Sequence, residues 1–127
     1  MIVMDASAAI LGLLNDGDSR EHLRSSPIAC PHLIDAEVAH VLRRQVLREA
    51  LQPTVARRAL TAWAGLGIER LGIVGLLDRV WELRENLTAY DAAYVAVAEA
   101  LGAPLVTADA RLAQAPGPAC PITVVRR

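Results

Sequence analysis

Four carboxylates in this sequence fall at positions from which a fold can gather them. Asp5 directly follows the short apolar run Ile2 to Met4, and Asp109 follows the apolar run Leu105 to Thr107 after one residue. Both runs read as strands, and in open parallel sheets ligands bind beyond the carboxyl ends of strands, near the point where strand order reverses. Two acids delivered there face each other across a crevice. Asp91 stands in T-A-Y-D, early in a helix that starts near Thr88, and Glu37 stands in I-D-A-E-V, in the first turns of a long helix. At 100° per residue Glu37 shares a stripe with His40, Arg44 and Arg48, while Ala39, Leu42 and Val46 lie on the other side. The helix can therefore bury one face and present an acid beside a row of guanidinium groups. Asp35 points about 160° away from Glu37 and is left out of the site.

Each acid also has an ordinary structural explanation. Asp5 and Asp109 precede helices, where Asp is a preferred N-cap worth about 1 kcal/mol. Thr88 with Asp91 resembles a capping box, and Glu37 near a helix N-terminus is favoured by the macrodipole. Taken singly, none of the four identifies a site.

The elements that must position them follow from hydrophobic patterning. The sequence predicts strands at 2–4, 28–30, 68–71, 104–107 and 122–125. Helices are expected over 7–14, 18–25, 33–51, 55–66, 76–85, 88–101 and 109–113. Pro53 separates two of these into a helical hairpin, Gly102 ends another, and the charged run I-E-R-L at 68–71 suits a sheet edge. The apolar strand 104–107 suits a sheet centre. This alternation indicates an α/β fold around a mainly parallel sheet, and 127 residues give one domain, 1–127.

Composition removes several function classes. Hydrophobic residues make up 54% and mean hydropathy is +0.32, which argues against disorder. No apolar run approaches the roughly 18 to 20 residues of a membrane span, and no basic stretch precedes an apolar core at the start, so a cytoplasmic protein is expected. Net charge is -1, which excludes a protein held to nucleic acid by bulk basicity. All 13 basic residues are Arg, ending in Arg126 and Arg127, so mechanisms that need a lysine amine are closed. Only Trp63, Trp81, Tyr90 and Tyr94 are aromatic, too few for a surface that stacks many bases. Cys30 and Cys120 read as buried free thiols; with His32 they lack a fourth ligand for zinc.

Order and context together go further. The run M-D-A-S, then D-A-E-V, then T-A-Y-D-A-A-Y-V-A-V-A-E-A-L-G, then P-L-V-T-A-D-A-R-L resembles the PIN domain family of nucleases, and within it the VapC-type toxins of bacterial toxin-antitoxin pairs. The resemblance spans essentially the whole chain. It implies a three-layer α/β/α sandwich with a central five-stranded parallel sheet in order 3-2-1-4-5. It carries the family's acids onto Asp5, Glu37, Asp91 and Asp109, and its small hydroxyl neighbours onto Ser7 and Thr107. It also implies an RNA substrate, products with 5′-phosphate and 3′-hydroxyl ends, a cognate VapB-type antitoxin covering the cleft, and a toxin homodimer, for which the helical hairpin around Trp63 offers apolar surface unless Trp63 belongs to the core.

Four carboxylates in one apolar-walled cleft repel each other by several kcal/mol unless they are protonated or neutralised. Hard oxygen donors without nearby Cys or His favour Mg²⁺ or Mn²⁺ over zinc, as one or two ions. One such ion leaves two of the four charges uncompensated, and a second balances all. The chemistry expected is phosphodiester hydrolysis with Asp5 and Asp109 as direct ligands, Asp91 completing the site, and Glu37 holding or deprotonating the attacking water. Arg44 and Arg48 are candidates for phosphate contacts and equally for solvated arginines. Receiver domains and haloacid dehalogenase phosphatases also gather acids at strand ends, but they use a lysine this chain lacks. The alternative that remains is a catalytically inactive PIN-like module that binds RNA or protein.

Overall fold

A computed structural model describes residues 1–126; Arg127 of the basic tail lies outside them. In chain order the elements are β1 (Ile2–Met4), α1 (Ala6–Leu14), α2 (Asp18–Ser25), β2 (Ile28–Pro31), α3 (Ile34–Leu47), α4 (Pro53–Ala64) and β3 (Glu69–Leu71). A 3-10 turn (Val74–Leu76) leads into α5 (Leu77–Glu82), followed by α6 (Ala89–Leu101), β4 (Leu105–Thr107), α7 (Ala110–Gln114) and β5 (Ile122–Val124). The strands form one sheet in the order β3-β2-β1-β4-β5, all neighbours parallel. Order and direction agree with the sequence reading.

That order fixes where a cleft must open. Val3 and Met4 of β1 pair on one side with β2 (Val3 opposite Ala29) and on the other with β4 (Val3 opposite Leu105, Met4 opposite Val106). The chain runs outward from β1 through β2 to β3, then crosses to the other side of β1 to begin β4. The switch point therefore lies at the carboxyl ends of β1 and β4. Successive residues of these strands point to opposite faces, yet Val3, Met4, Ala29, Cys30, Leu105, Val106 and Thr107 are all buried. Both faces of the sheet are covered by helices, as in other all-parallel sheets.

Small residues let one helix lie close on this sheet. Every residue of α6 from Ala92 to Ala98 is buried, and four of them are alanine. Helix α3 buries only the stripe Ile34, Val38 and Leu42, at spacing four, and leaves Glu37, His40 and Arg44 off the core. Helix α4 turns Ala56, Ala59 and Trp63 inward.

Two expectations of helix bounds are corrected. Helix α3 stops at Leu47 rather than 51, because Glu49 takes a left-handed conformation (φ 59°). Its N–H bonds to the Val46 carbonyl and that of Ala50 to Gln45, a Schellman closure built without glycine. The helix expected over 76–85 begins as the 3-10 turn and ends at Glu82. Of the two readings open for Trp63, the core is the one it takes: it is 3% exposed and its indole N–H donates to Asp35 Oδ1 at 2.7 Å. Arg70 also donates to both oxygens of Asp35 and stacks over the Trp63 ring, so Asp35 ties α3 to α4 and β3. Cys30 is buried as expected, whereas Cys120 is only partly covered. Among the described residues no helix is long and apolar enough to cross a membrane.

Candidate active site

Asp5 ends β1 and starts α1. Its backbone N–H donates to the Val106 carbonyl at 3.1 Å, which fastens the end of β1 to β4. The side chain is 6% exposed and fully engaged: Oδ1 accepts from Ser7 Oγ (2.6 Å) and from the Ala8 N–H (3.1 Å), and Oδ2 accepts from Thr107 Oγ1 (2.5 Å). Burial nevertheless raises its pKa above the ordinary range; these three donors oppose the shift and the Asp109 charge adds to it. Asp5 is both the N-cap of α1 and the most buried carboxylate at the switch point.

Ser7 and Thr107 carry that order across the cleft. Thr107, completely buried at the end of β4, accepts from the Asp109 N–H at 3.0 Å while it donates to Asp5. Ser7 Oγ lies 3.2 Å from Thr107 Oγ1 and accepts from the Ala108 N–H at 2.9 Å. Two hydroxyls thus lock the first strand end to the turn bearing Asp109.

Asp109 caps α7 by accepting from the Arg111 N–H at 3.0 Å, and the Arg111 guanidinium reaches both carboxylate oxygens at 3.2 and 3.3 Å. That pairing lowers the pKa of Asp109. Among the described residues no guanidinium bonds to Asp91, and Arg111 opposes its shift by charge alone. The Asp91 N–H donates to Thr88 Oγ1 at 3.1 Å, an ordinary N-cap, while its half-buried carboxyl is raised first by burial and then by the charges of Asp5 and Asp109. Glu37 is raised by burial, with Asp5 and Asp91 pushing the same way and the Tyr94 hydroxyl, 2.5 Å from Oε1, opposing.

The four acids therefore share one field. Asp5 feels Asp109, Asp91 feels Asp5 and Asp109, and Glu37 feels Asp5 and Asp91. A polar pocket of about 310 Å³ holds Asp91 and Asp109 together with Asn86, Thr88 and Arg111. A second, of about 630 Å³, opens beside Glu37 and is walled by His40, Arg44 and Tyr90. The stripe expected on α3 ends at Arg44; Arg48 lies past the last turn as its C-cap and outside that pocket.

The donor set suits a hard divalent cation. It consists of carboxylate oxygens, three of the four raised in pKa first by burial and then by the charges of neighbouring acids. Among the described residues no three acid, imidazole or thiol groups stand close enough to cage an ion as they are. An ion here would keep several waters, as Mg²⁺ commonly does. Sequence reasoning missed Tyr94 and Arg111. Tyr94 lies one turn beyond Asp91 and so on the same helix face, and Arg111 lies two residues past Asp109; both offsets are visible in the sequence.

Residues 2–118 match the PIN domain family. Over 127 residues, all of both chains, the sequence is 52% identical to Ribonuclease VapC9 of Mycobacterium tuberculosis strain H37Rv. The chain belongs to the PIN domain family, in its VapC branch. This PIN domain also superposes on PAE2754 from Pyrobaculum aerophilum with a TM-score of 0.68 at 25% identity, over 89% of this chain and 82% of that one. A Mycobacterium tuberculosis protein, VapC20, described as a sarcin-ricin loop cleaving toxin, shares the fold at 19% identity and a TM-score of 0.65, over 90% and 94% of the two chains. The sheet order that the resemblance implied is the order this VapC-type PIN domain has.

Proposed function

We propose that this VapC-type PIN domain is a ribonuclease toxin: an endonuclease that hydrolyses RNA phosphodiester bonds with Mg²⁺ or Mn²⁺ and is silenced by a cognate antitoxin. The observation that carries the reading lies at the switch point between β1 and β4, where Thr107 bonds both the Asp5 carboxylate and the Asp109 N–H and where Asp91 and Asp109 line one pocket, with Glu37 close enough to feel Asp5 and Asp91. Asp5, Glu37 and Asp91, each raised in pKa in part by neighbouring acids, are poorly explained as structural acids alone, since a helix cap needs no second carboxylate. The name ribonuclease borne by a relative 52% identical over the whole chain supports RNA as the substrate.

In this reading Asp5, Asp91 and Asp109 would hold the cation. Asp5 is the rigid anchor, since Ser7, Thr107 and the Ala8 N–H leave its carboxylate one orientation. Bound divalent metal supplies an activated water and charge stabilisation for the leaving oxygen. Glu37 orients the attacking water or takes its proton, held in place by Tyr94. Arg111 keeps Asp109 ionised and ready to bind. The products carry 5′-phosphate and 3′-hydroxyl ends.

The α3–α4 hairpin supplies surface for partners. A groove of about 430 Å³ runs along Leu42, Val46, Leu47, Ala56 and Leu60, and Leu47 is 65% exposed. An antitoxin segment, or a second copy in a homodimer, would cover it.

Cleavage of structured RNAs by the purified chain, with and without magnesium, tests the proposal. Asp5→Asn and Asp91→Asn are expected to abolish cleavage that the wild type shows only with metal. Wild-type activity in chelator, or full activity in both variants, would refute it. A protein that binds RNA and never cuts it would be the inactive binding module instead.

A further inference from the structure

The pocket beside Glu37 has a chemistry that the hydrolytic acids do not need. It lies between α3 and the first turn of α6, with Ala6 and Val41 as apolar floor and Tyr90, His40 and Arg44 as walls. Its volume of about 630 Å³ falls within the roughly 300 to 1,000 Å³ of small-molecule sites. Tyr90 is 65% exposed. Of the other aromatic residues, Trp63 and Tyr94 are buried and bonded to Asp35 and Glu37, and the exposed Trp81 is covered by the Arg84 guanidinium, 4.8 Å from its ring centroid. Among the described residues Tyr90 alone of the four has neither a ring partner nor a hydroxyl partner.

Charge points the same way. RNA must bring an anion toward four acids, so it needs a cation at the rim. On the Asp109 side the guanidinium of Arg111 is spent on that carboxylate. On the Glu37 side Arg44 and His40 line the same pocket as Tyr90, and among the described residues neither side chain makes an ion pair or hydrogen bond. A face of aromatic ring, an unpaired guanidinium and an apolar floor, one helical residue from Asp91, match a nucleotide whose base is unstacked.

We propose that this pocket is the subsite for one unpaired nucleotide adjoining the cleaved bond, its base on the Tyr90 ring and its phosphate against Arg44. The inference rests on the ribonuclease reading and adds to it the residues, Tyr90 and Arg44, that receive this nucleotide. Bases in a duplex keep their faces stacked and cannot enter.

Fluorescence anisotropy of a short labelled unpaired oligoribonucleotide, in calcium, tests the subsite on the full chain. The same strand annealed into a duplex is the control. Tyr90→Ala is expected to weaken single-strand binding about tenfold or more, since a stacked base contributes a factor of about 5 to 150. Tyr90→Trp should restore or tighten it, and Arg44→Ala should lower the slope of log affinity against log salt by about 0.7. The duplex should bind more weakly than the single strand and respond little to Tyr90→Ala. Unchanged single-strand affinity in Tyr90→Ala overturns the subsite, as does a duplex that binds as tightly as the strand. Loss of antitoxin binding with intact RNA binding in Tyr90→Ala would also overturn it, assigning the pocket to a peptide. Magnesium-dependent cleavage by the wild type, run in parallel, separates the two readings: if it persists while Tyr90→Ala binds normally, only the subsite fails, and if the wild type neither binds nor cuts RNA, both do.

Discussion

The Tyr94 hydroxyl donates to Glu37 Oε1 at 2.5 Å, joining α6 to α3 across 57 residues of sequence. Tyr94 is 1% exposed and its phenol is held far above its ordinary pKa by burial and by this carboxylate, so it stays a neutral donor at every working pH. The bond fixes the direction of a carboxylate that otherwise sits on an exposed stripe of helix. Tyr94→Phe is expected to lower stability by about 1 to 2 kcal/mol and to reduce kcat about 10- to 100-fold. Chemical denaturation and RNA cleavage on the same preparation check both; full activity in a destabilised protein would leave Tyr94 a core residue only.

Crowded acids make a prediction about pH in the metal-free protein. Asp5, Glu37 and Asp91 have folded pKa values raised above their unfolded ones, so the stability they contribute is complete below the unfolded values and is lost as pH rises through the folded ones. Asp35, Glu99 and Asp109 are lowered, and their contribution is lost only as pH falls below the usual carboxylate range of about 4. Thermal melts in chelator should therefore show stability rising from pH 7 toward about pH 4 to 5 and falling below it. Asp91→Asn should flatten the rise and raise metal-free stability at pH 7 by up to about 1 kcal/mol, a few degrees in Tm. A Tm for the variant below wild type in chelator would contradict mutual repulsion.

Glu49 occupies a position that glycine fills more cheaply. It closes α3 at φ 59°, a conformation costing a non-glycine residue about 1 to 2 kcal/mol. Glu49 is exposed, and replacing it leaves the Ala50 N–H to Gln45 carbonyl bond in place. Glu49→Gly should raise stability by about 0.5 to 1 kcal/mol, after the extra unfolded-state entropy of glycine is subtracted. A lower denaturation midpoint would show that Glu49 makes a contribution other than its backbone.

The same pair of helix ends explains how far the sequence could be read. Gly102 ends α6 with φ 61°, and its residue type announced the stop; Glu49 does the same for α3 without announcing it, so the helix was expected to run on. Strands β1 and β4 were legible because apolar triplets ending near an acid have few other uses. Asp5, Asp91 and Asp109 were legible as positions, but their caps look identical to those of structural acids. What the sequence could not show is that the Asp109 charge reaches Asp5 and the charges of both reach Asp91, a consequence of the sheet order. Trp63 reads as a core residue in preference to a docking surface, and the core is where it lies; what the sequence could not show is its partner Asp35, 28 residues away.

Asp35 is the control for the site. It binds Arg70 through both oxygens and the Trp63 indole, and it lies on the side of α3 away from Glu37. Asp35→Ala should cost about 1 to 3 kcal/mol, discounted toward the lower end because the carboxylate is half exposed. RNA cleavage per folded molecule should be unchanged. A loss of kcat without a loss of stability would move Asp35 into the site.

Manganese binding, followed by the electron paramagnetic resonance of the free ion, asks directly whether the acids share one cation. The wild type is expected to take up Mn²⁺ saturably at neutral pH, magnesium should displace it, and Asp5→Asn, Asp91→Asn and Asp109→Asn should each weaken uptake about tenfold or more while Asp35→Ala leaves it unchanged. A wild-type protein that binds no manganese at saturating concentration, or three acid variants that bind it as well as the wild type, would contradict a common metal site.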